Sequence, residues 1–500
     1  MKATRSVLIG LVSVAVALAV GHLVAGLVSP LASPFLAVGN TAIDLTPHPV
    51  KDFAIRTFGE NDKLVLLGSM AVVLAGLGVV AGLLSRRSPW PGTVLAALLG
   101  LLGIAAVLAR PTTTGWSVLA PLASLVAGVA AFRWLWSQAV PAVVPERRRF
   151  LLTTAAIAVG AGVSALGGQL LAGRVDVEAS RRAIRLQPRE KAPEIPFDAD
   201  FAREGTPQFI TPNEKFYRVD TALTVPRLRA EDWRMRVHGM VDNELVLTYD
   251  DLLRRPLVEK TITLVCVSNE VGGPYISTSN FIGVSLPDLL REAGVRPGAD
   301  QLATTSVDGW TCGTPVDKIM APGSNAMLAL GMNGEPLPIE RGFPVRMVVP
   351  GLYGYVSATK WLVDAELTTF DTFDPYWAQR GWGKKAPVKV MSRVDRPKSF
   401  ERVPAGRFVA AGIAWAQHTG IDRVEVRVDG GPWQEATLSR EVNIDTWRMW
   451  RIELDLKEGN HTVECRATDR KGTTQTSERA APIPDGATGW HSMVFTSVAG

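Results

Sequence analysis

Apolar positions along the chain fall into two regimes. Up to about Ala172 they form long runs of Ala, Leu, Val and Gly; beyond it, short alternating runs are broken by charge, proline and tryptophan. Runs long enough to cross roughly 30 Å of hydrocarbon lie at Val7–Val28, Leu64–Leu84, Thr93–Ala109, Trp116–Trp136 and Phe150–Ala172. They predict an N-terminal α-helical transmembrane bundle of five spans over residues 1–174. The loop 29–63, which ends in the mixed-charge segment KDFAIRTFGENDK, is expected to carry an interfacial helix.

Charge at the ends of these runs sets an orientation. Lys2 and Arg5 precede the first run, Arg86 and Arg87 follow the second, and Arg147, Arg148 and Arg149 precede the fifth. All fall on one face if the N-terminus is cytoplasmic, which sends residues from about 175 outside the cell membrane. A cleaved signal peptide over the first run is the alternative, although no clear A-x-A site with a polar successor follows it. The segment Arg147-Arg148-x-Phe150-Leu151, before a mild Ala/Gly-rich run, reads either as a plain basic anchor or as an internal twin-arginine signal. The second reading carries a consequence, because that route exports domains already folded around a cofactor.

The polar half divides again. Residues 175–207 are charged and proline-containing and read as a linker. Residues 208–385 mix β-branched runs such as TITLVCV and FPVRMVVPG with helical stretches such as SLPDLLREAGV, where Ser285 is an N-cap and Gly294 a stop. This is an α+β domain. From 386 to 500 only strand and turn signals remain, at roughly 8–12-residue spacing, which predicts an immunoglobulin-like β-sandwich.

The net charge of +5 does not point to nucleic acid, because many basic residues flank apolar runs. His22 is the only histidine inside an expected span, so two axial imidazoles for an embedded haem are not available and no haem is expected. The membrane half is then an anchor or holds a quinone pocket. The three cysteines, Cys266, Cys312 and Cys465, form neither CxxC nor a Cys/His zinc pattern, and a Cys312–Cys465 bridge would leave Cys266 free.

Cys266 closes the alternation TITLVCV and is followed at once by the polar, glycine-containing turn SNEVGG. A thiol at a strand exit is either an ordinary buried residue or a soft metal ligand. Arg341, Arg346 and Lys360 lie among tight-turn residues, where they are either solvated or suited to an anionic, phosphate-bearing cofactor. No Walker loop, GxGxxG, HExxH or Ser-His-Asp signature is visible.

The order of the pieces TPNEKFYRVDTAL, TLVCVSNEVGG, GVSLPDLL, SVDGWTCG, GMNGEPLP and GFPVRMVVPGLYGYVSATKW, followed by a sandwich containing VEVRVDGGPWQEA, closely resembles the sulfite-oxidase family of molybdenum-cofactor oxidoreductases over residues 208–498. The resemblance implies one Mo-molybdopterin per chain, with Cys266 as the metal ligand and Cys266 and Arg346 as catalytic residues. It implies that Asn213, Phe216, Tyr217, Arg218, Ser306, Arg341, Arg346, Ser357, Thr359 and Lys360 hold the pterin and its phosphate. The sandwich resembles the family's dimerisation domain, so a homodimer is expected by analogy.

This chain also departs from the family. Sulfite-oxidising members usually read CAGN where it has CVSN, place histidine where it has Arg341, and carry a substrate-side tyrosine with no clear counterpart in FDPYWAQRGWGKKAPVKV. The expected activity is therefore two-electron oxygen-atom transfer on the extracytoplasmic side, by reduction of an S-oxide or N-oxide. Sulfite oxidation is the alternative, and a binding protein that keeps the fold without chemistry is a third. With no cytochrome b5-like module and no CxxCH, electrons are expected to pass through a quinone-linked or cytochrome partner.

Overall fold

The computed structural model describes residues 1–28, 32–47, 61–110, 115–139 and 176–499, with a few isolated positions between them. The chain forms two compact units, residues 1–176 with 221–225, and residues 177–220 with 226–500.

In the first unit the helices are α1 (Ala3–Val28), α2 (Pro34–Leu45), α3 (Asp62–Leu84), α4 (Trp90–Leu108) and α5 (Leu119–Ala139). Among the described residues four helices are long and apolar enough to cross a membrane: α1, α3, α4 and Gly115–Ala139, which includes α5. Most of the fifth expected span and all of the Arg147–Leu151 segment fall outside the described residues. The loop 29–63 does hold a helix, α2, while much of its mixed-charge segment also lies outside the described residues.

Small residues bring the helices together. A Cβ on Gly10 would stand 1.8 Å from the Gly78 carbonyl oxygen, so only glycine permits the approach of α1 to α3. The Ser124 hydroxyl of α5 donates to the Ala17 carbonyl of α1 at 2.7 Å. Large apolar side chains such as Val72, Leu98 and Val126 point outward, which an aqueous helix would not tolerate in such number. The N-terminal ammonium donates to the Arg86 carbonyl, so Lys2, Arg5, Arg86 and Arg87 gather at one end of the bundle.

The second unit opens with α6 (Val177–Ala183). The stretch read as a linker is not detached, because Glu190 bridges to Val258 and the Arg189 amide donates to the Leu257 carbonyl at 2.8 Å. Ten strands then build two sheets: β1 (Arg234–Gly239), β2 (Leu245–Thr248), β3 (Val258–Val265), β4 (Ile276–Ser285), β5 (Gln301–Ser306), β6 (Thr311–Pro315), β7 (Met327–Met332), β8 (Glu335–Pro336), β9 (Arg346–Val348) and β10 (Leu362–Thr368). One sheet has the order β2-β1-β10-β5-β6, the other β3-β4-β7-β8 with β9 on β7. The helix α7 (Tyr249–Leu253) follows β2. α8 (Leu286–Ala293) follows β4, with Ser285 Oγ accepting from the Asp288 amide and Gly294 in the left-handed region, as its cap residues predict.

Nine further strands follow: β11 (Met391–Arg396), β12 (Arg402–Pro404), β13 (Gly406–Trp415), β14 (Ile421–Val428), β15 (Gln434–Glu435), β16 (Thr437–Leu438), β17 (Arg448–Leu456), β18 (Gly459–Asp469) and β19 (His491–Val498). They form the sheets β11-β13-β17-β16 and β12-β19-β18-β14-β15. Phe408 and Trp450 from the first sheet share a core with Val424, Val463 and Phe495 from the second. All three cysteines are free and buried.

The alternation in TITLV predicts a half-buried strand, yet Thr261–Val265 is buried throughout. The reason is tertiary. The segments that join strands of the C-terminal sheets close the free edge of β3, where the Thr263 amide donates to the Asp445 carbonyl at 3.0 Å, the Trp447 amide donates to Thr263 Oγ1 at 2.8 Å, and Gln417 donates to the Thr263 carbonyl. β3 therefore delivers Cys266 from a clamped strand.

Candidate active site

Antiparallel pairing of β3 with β4 runs from Val258 opposite Gly283 to Val265 opposite Ile276. The chain then leaves the sheet as a closed loop. The Cys266 amide donates to the Tyr275 carbonyl at 3.0 Å, the Asn269 amide to the Cys266 carbonyl at 3.0 Å, and the Tyr275 amide to Asn269 Oδ1 at 2.8 Å. Cys266 is 8% exposed. Burial pushes its thiol up, while hydrogen bonding from Ser268 and the charge of Lys360 pull the other way.

Tyr217, Cys266, Arg341 and Arg346 converge. Burial drives the Tyr217 hydroxyl far above its ordinary range, and the Cys266 sulfur adds to this, while Arg346 and Arg341 oppose it. Phe216 stacks on Tyr217 with ring centroids 5.4 Å apart and meets Phe281 edge-on at 6.1 Å. A Cβ on Gly354 would lie 3.6 Å from Tyr217 Oη and 3.7 Å from the Val265 carbonyl oxygen, so this glycine backbone closes in on the end of β3.

Arg341 and Arg346 are only 5% and 4% exposed. Arg346 Nη1 donates to the Arg341 carbonyl at 3.2 Å, and Arg341 Nη2 to the Asn213 carbonyl at 3.4 Å. Arg346 Nε has no hydrogen-bond partner, and among the described residues no carboxylate pairs with this guanidinium. Burial, and then the like charge of Arg341, bring Arg346 down to about 10. A buried cation in this state is costly and calls for an anion.

A second cationic pair lies close by. Lys360 Nζ donates to Asp220 Oδ2 at 3.0 Å, and Arg218 Nε reaches the same oxygen at 2.8 Å. Burial lowers Lys360 to about 8 against the pull of Asp220, with Arg346 adding to the drop. Asp308, whose carboxyl is raised by burial, senses Asp220 and has Ser306 beside it. Arg218 and Lys360 thus share the Asp220 carboxylate, and Arg346 adds a like charge beside Lys360. Such a cluster, with a thiol at its edge, fits a phosphate-bearing ligand that also carries a soft metal.

The remaining expected residues are placed differently. Asn213 accepts from Asn333 Nδ2 at 2.8 Å and donates to Glu335 Oε1 at 2.6 Å, so its amide is engaged within the protein. Ser357 donates to the Leu352 and Tyr353 carbonyls, each at 3.0 Å, and Thr359 shares a hydrogen bond with Thr304 at 2.7 Å. Those two hydroxyls shape the loop from the inside. Among the described residues no group of three or more His, Cys, Asp or Glu forms a metal cage. Asp220, Asp308 and Ser268 also stand beside the candidate residues, although the resemblance does not name them. For Asp220 a signal existed in the Arg218-x-Asp220 spacing of YRVD.

Comparison with known proteins places this geometry. The family described as oxidoreductase molybdopterin binding domain matches residues 222–377. Mitochondrial sulfite oxidase of Rattus norvegicus is 30% identical over 337 residues, covering 58% of this chain and 61% of that protein. Its counterpart in Homo sapiens is 30% identical over 339 residues with the same shares. The chain thus spans 61% of the length of these relatives. An uncharacterized oxidoreductase of Bacillus subtilis, YuiH, is 33% identical over 150 residues, 30% of this chain and 72% of that protein. The sulfane dehydrogenase SoxCD from Paracoccus pantotrophus shares the fold at a TM-score of 0.51 and 24% identity, over 64% of this chain and 92% of its own. The chain belongs to the sulfite-oxidase family of molybdopterin-dependent oxidoreductases.

Proposed function

We propose that this chain is a membrane-anchored enzyme that carries one Mo-molybdopterin and performs two-electron oxygen-atom transfer outside the cytoplasm. The observation that carries the reading is the buried, uncompensated Arg346 beside Arg341, within electrostatic reach of Tyr217 and hence of Cys266. When bound, the cofactor supplies a metal that exchanges an oxygen atom and two electrons with substrate. The chain's own part is to hold it. Cys266 is the thiolate ligand, Arg341, Arg346, Lys360 and Arg218 neutralise the phosphate side, and Phe216 and Tyr217 wall the site and exclude water. Asn213, Ser306, Ser357 and Thr359 complete the pterin site, the last two by shaping the backbone around it.

The favoured reaction is reduction of an S-oxide or N-oxide, because Val267 and Ser268 follow the ligand and Arg341 stands where sulfite-oxidising members place histidine. Sulfite oxidation is the second reading, favoured by the mammalian sulfite oxidases to which the chain is similar. The four apolar helices support anchoring, with a fifth span over 150–172, a cytoplasmic N-terminus and a twin-arginine signal at Arg147–Leu151 completing the topology. A quinone or cytochrome partner passes the electrons, and the C-terminal sheets act as an immunoglobulin-like, dimerisation-type domain.

The test is molybdenum quantification of the purified chain and of Cys266→Ser, with dye-linked assays of sulfoxides, N-oxides and sulfite. Cys266→Ser should lose turnover at least 100-fold with its circular dichroism intact. Unchanged molybdenum and turnover in that variant would end the reading.

A further inference from the structure

The loop that leaves Cys266 is also held from outside its own domain. Arg393 Nη1, on β11, donates to the Gly273 carbonyl at 2.8 Å. Its guanidinium is fixed by Asp395, with both Nε and Nη2 at 2.8 Å from Oδ1, and the two side chains are 11% and 13% exposed. At the first residue of β19, His491 Nδ1 accepts the Val394 amide at 3.0 Å. In a neutral ring this places the proton on Nε2, and burial keeps the ring neutral. That Nε2 edge abuts Gly272, where a Cβ would stand 2.2 Å away and where φ is +83°. Three consecutive residues of β11 and one of β19 therefore grip the two glycines that end the Cys266 turn.

Packing alone does not need this arrangement. A buried guanidinium oriented by a buried carboxylate is a costly way to fill space, and its value lies in direction. Here the direction is onto the carbonyl seven residues after the candidate ligand.

We infer that Arg393 and His491 are positioning residues that set the Cys266 loop from the C-terminal sheets, making those sheets part of the active-site framework. This rests on the reading of Cys266 as the metal ligand. A ligand on a turn must be held to within a fraction of an ångström for the metal's potential and geometry to be defined, and residues behind the ligand do that work.

The experiment is amide hydrogen exchange on the full chain in detergent, metal-free and molybdenum-loaded, comparing Arg393→Ala combined with Asp395→Asn against Asp395→Asn alone. The second substitution prevents a stranded buried carboxylate. Exchange over residues 267–275 should rise at least tenfold in the double variant while β13 and β17 stay within twofold of the parent. Arg393→Lys, which keeps one donor, should recover most of the protection. In the loaded protein the Mo(V) resonance should shift in the double variant and return in Arg393→Lys. Exchange over 267–275 within twofold of the parent, or a rise spread evenly through β13 and β17, would overturn the proposal. A parent chain that binds no molybdenum yet shows the loop response removes the metal reading and keeps the brace. A loaded chain with an indifferent loop does the reverse.

Discussion

Arg346→Met separates an arginine kept for structure from one kept for an anion, because the two roles predict opposite signs in the cofactor-free protein. Burial and Arg341 lower the guanidinium from 12.5 to about 10, which corresponds to about 3 kcal/mol against its charged form. For a base with a depressed folded value this cost is fully present at neutral pH and is relieved only above about 10. Set against it are one hydrogen bond to the Arg341 carbonyl, about 1 kcal/mol, and a contact with the Phe281 ring at 5.8 Å, under about 1 kcal/mol. The cofactor-free protein therefore carries a net cost of about 1 kcal/mol for this side chain. Methionine fills the space of the stem without the charge.

The expected outcome is that cofactor-free Arg346→Met, made in a host that cannot synthesise molybdopterin, melts at the parent temperature or about 2 °C above it. In the loaded protein a charge-assisted bond to the anion, about 1.5–3 kcal/mol, is lost, so molybdenum retention after dialysis should fall at least tenfold. The assay is thermal denaturation of both forms with metal analysis of the second. A clearly lower melting temperature in the cofactor-free variant, together with undiminished retention, would refute the argument and make Arg346 a structural residue.

The brace behind the Cys266 loop has a pH signature. His491, held at about 4, stabilises the fold above about 6.5 and loses that contribution as pH falls toward 4, whereas Asp395, raised to about 6, costs stability when charged and is relieved over nearly the same window. The two terms, each about 3 kcal/mol, oppose one another. Urea midpoints should therefore vary little between pH 7 and 4.5 in the parent, fall steeply on acidification in Asp395→Asn, and rise in His491→Asn; parallel profiles for all three would contradict the assignment. In the membrane unit, Gly10→Val should disrupt the approach of α1 to α3, costing about 1–3 kcal/mol, while Gly68→Val and Gly76→Val, which meet nothing within 4 Å, should leave the detergent melting temperature unchanged. Equal losses in all three would mean that helix propensity rather than close packing decides.

The ease of reading this chain follows the range of the interactions involved. The apolar runs of α1, α3 and α4 and the Ser285 and Gly294 caps depend on residues within one or two turns, and the sequence shows them directly. Cys266 was visible as the end of a strand, but its neighbours were ambiguous, because a charged arginine in a sequence reads as solvated by default. What turns Arg341 and Arg346 into site residues is their burial without a carboxylate for Arg346, and burial is a property of the whole fold. Ser357 and Thr359 show the converse. Their place in the motif implied ligand contact, and their hydroxyls instead bond the Leu352 and Tyr353 carbonyls and Thr304.

The least legible part is the contribution of the C-terminal sheets. Arg393 meets Gly273 across 120 residues, and the β-branched alternation around it reads only as an ordinary strand. The full burial of β3 has the same origin, since Thr263, which its alternation cannot mark as special, is bonded on its free edge by Asp445, Trp447 and Gln417. Both contacts act on the strand and turn that flank Cys266. A region whose pattern suggests a separable module thus restrains the candidate ligand on both sides, and substitutions along that contact should disturb the metal site before they unfold the sheets.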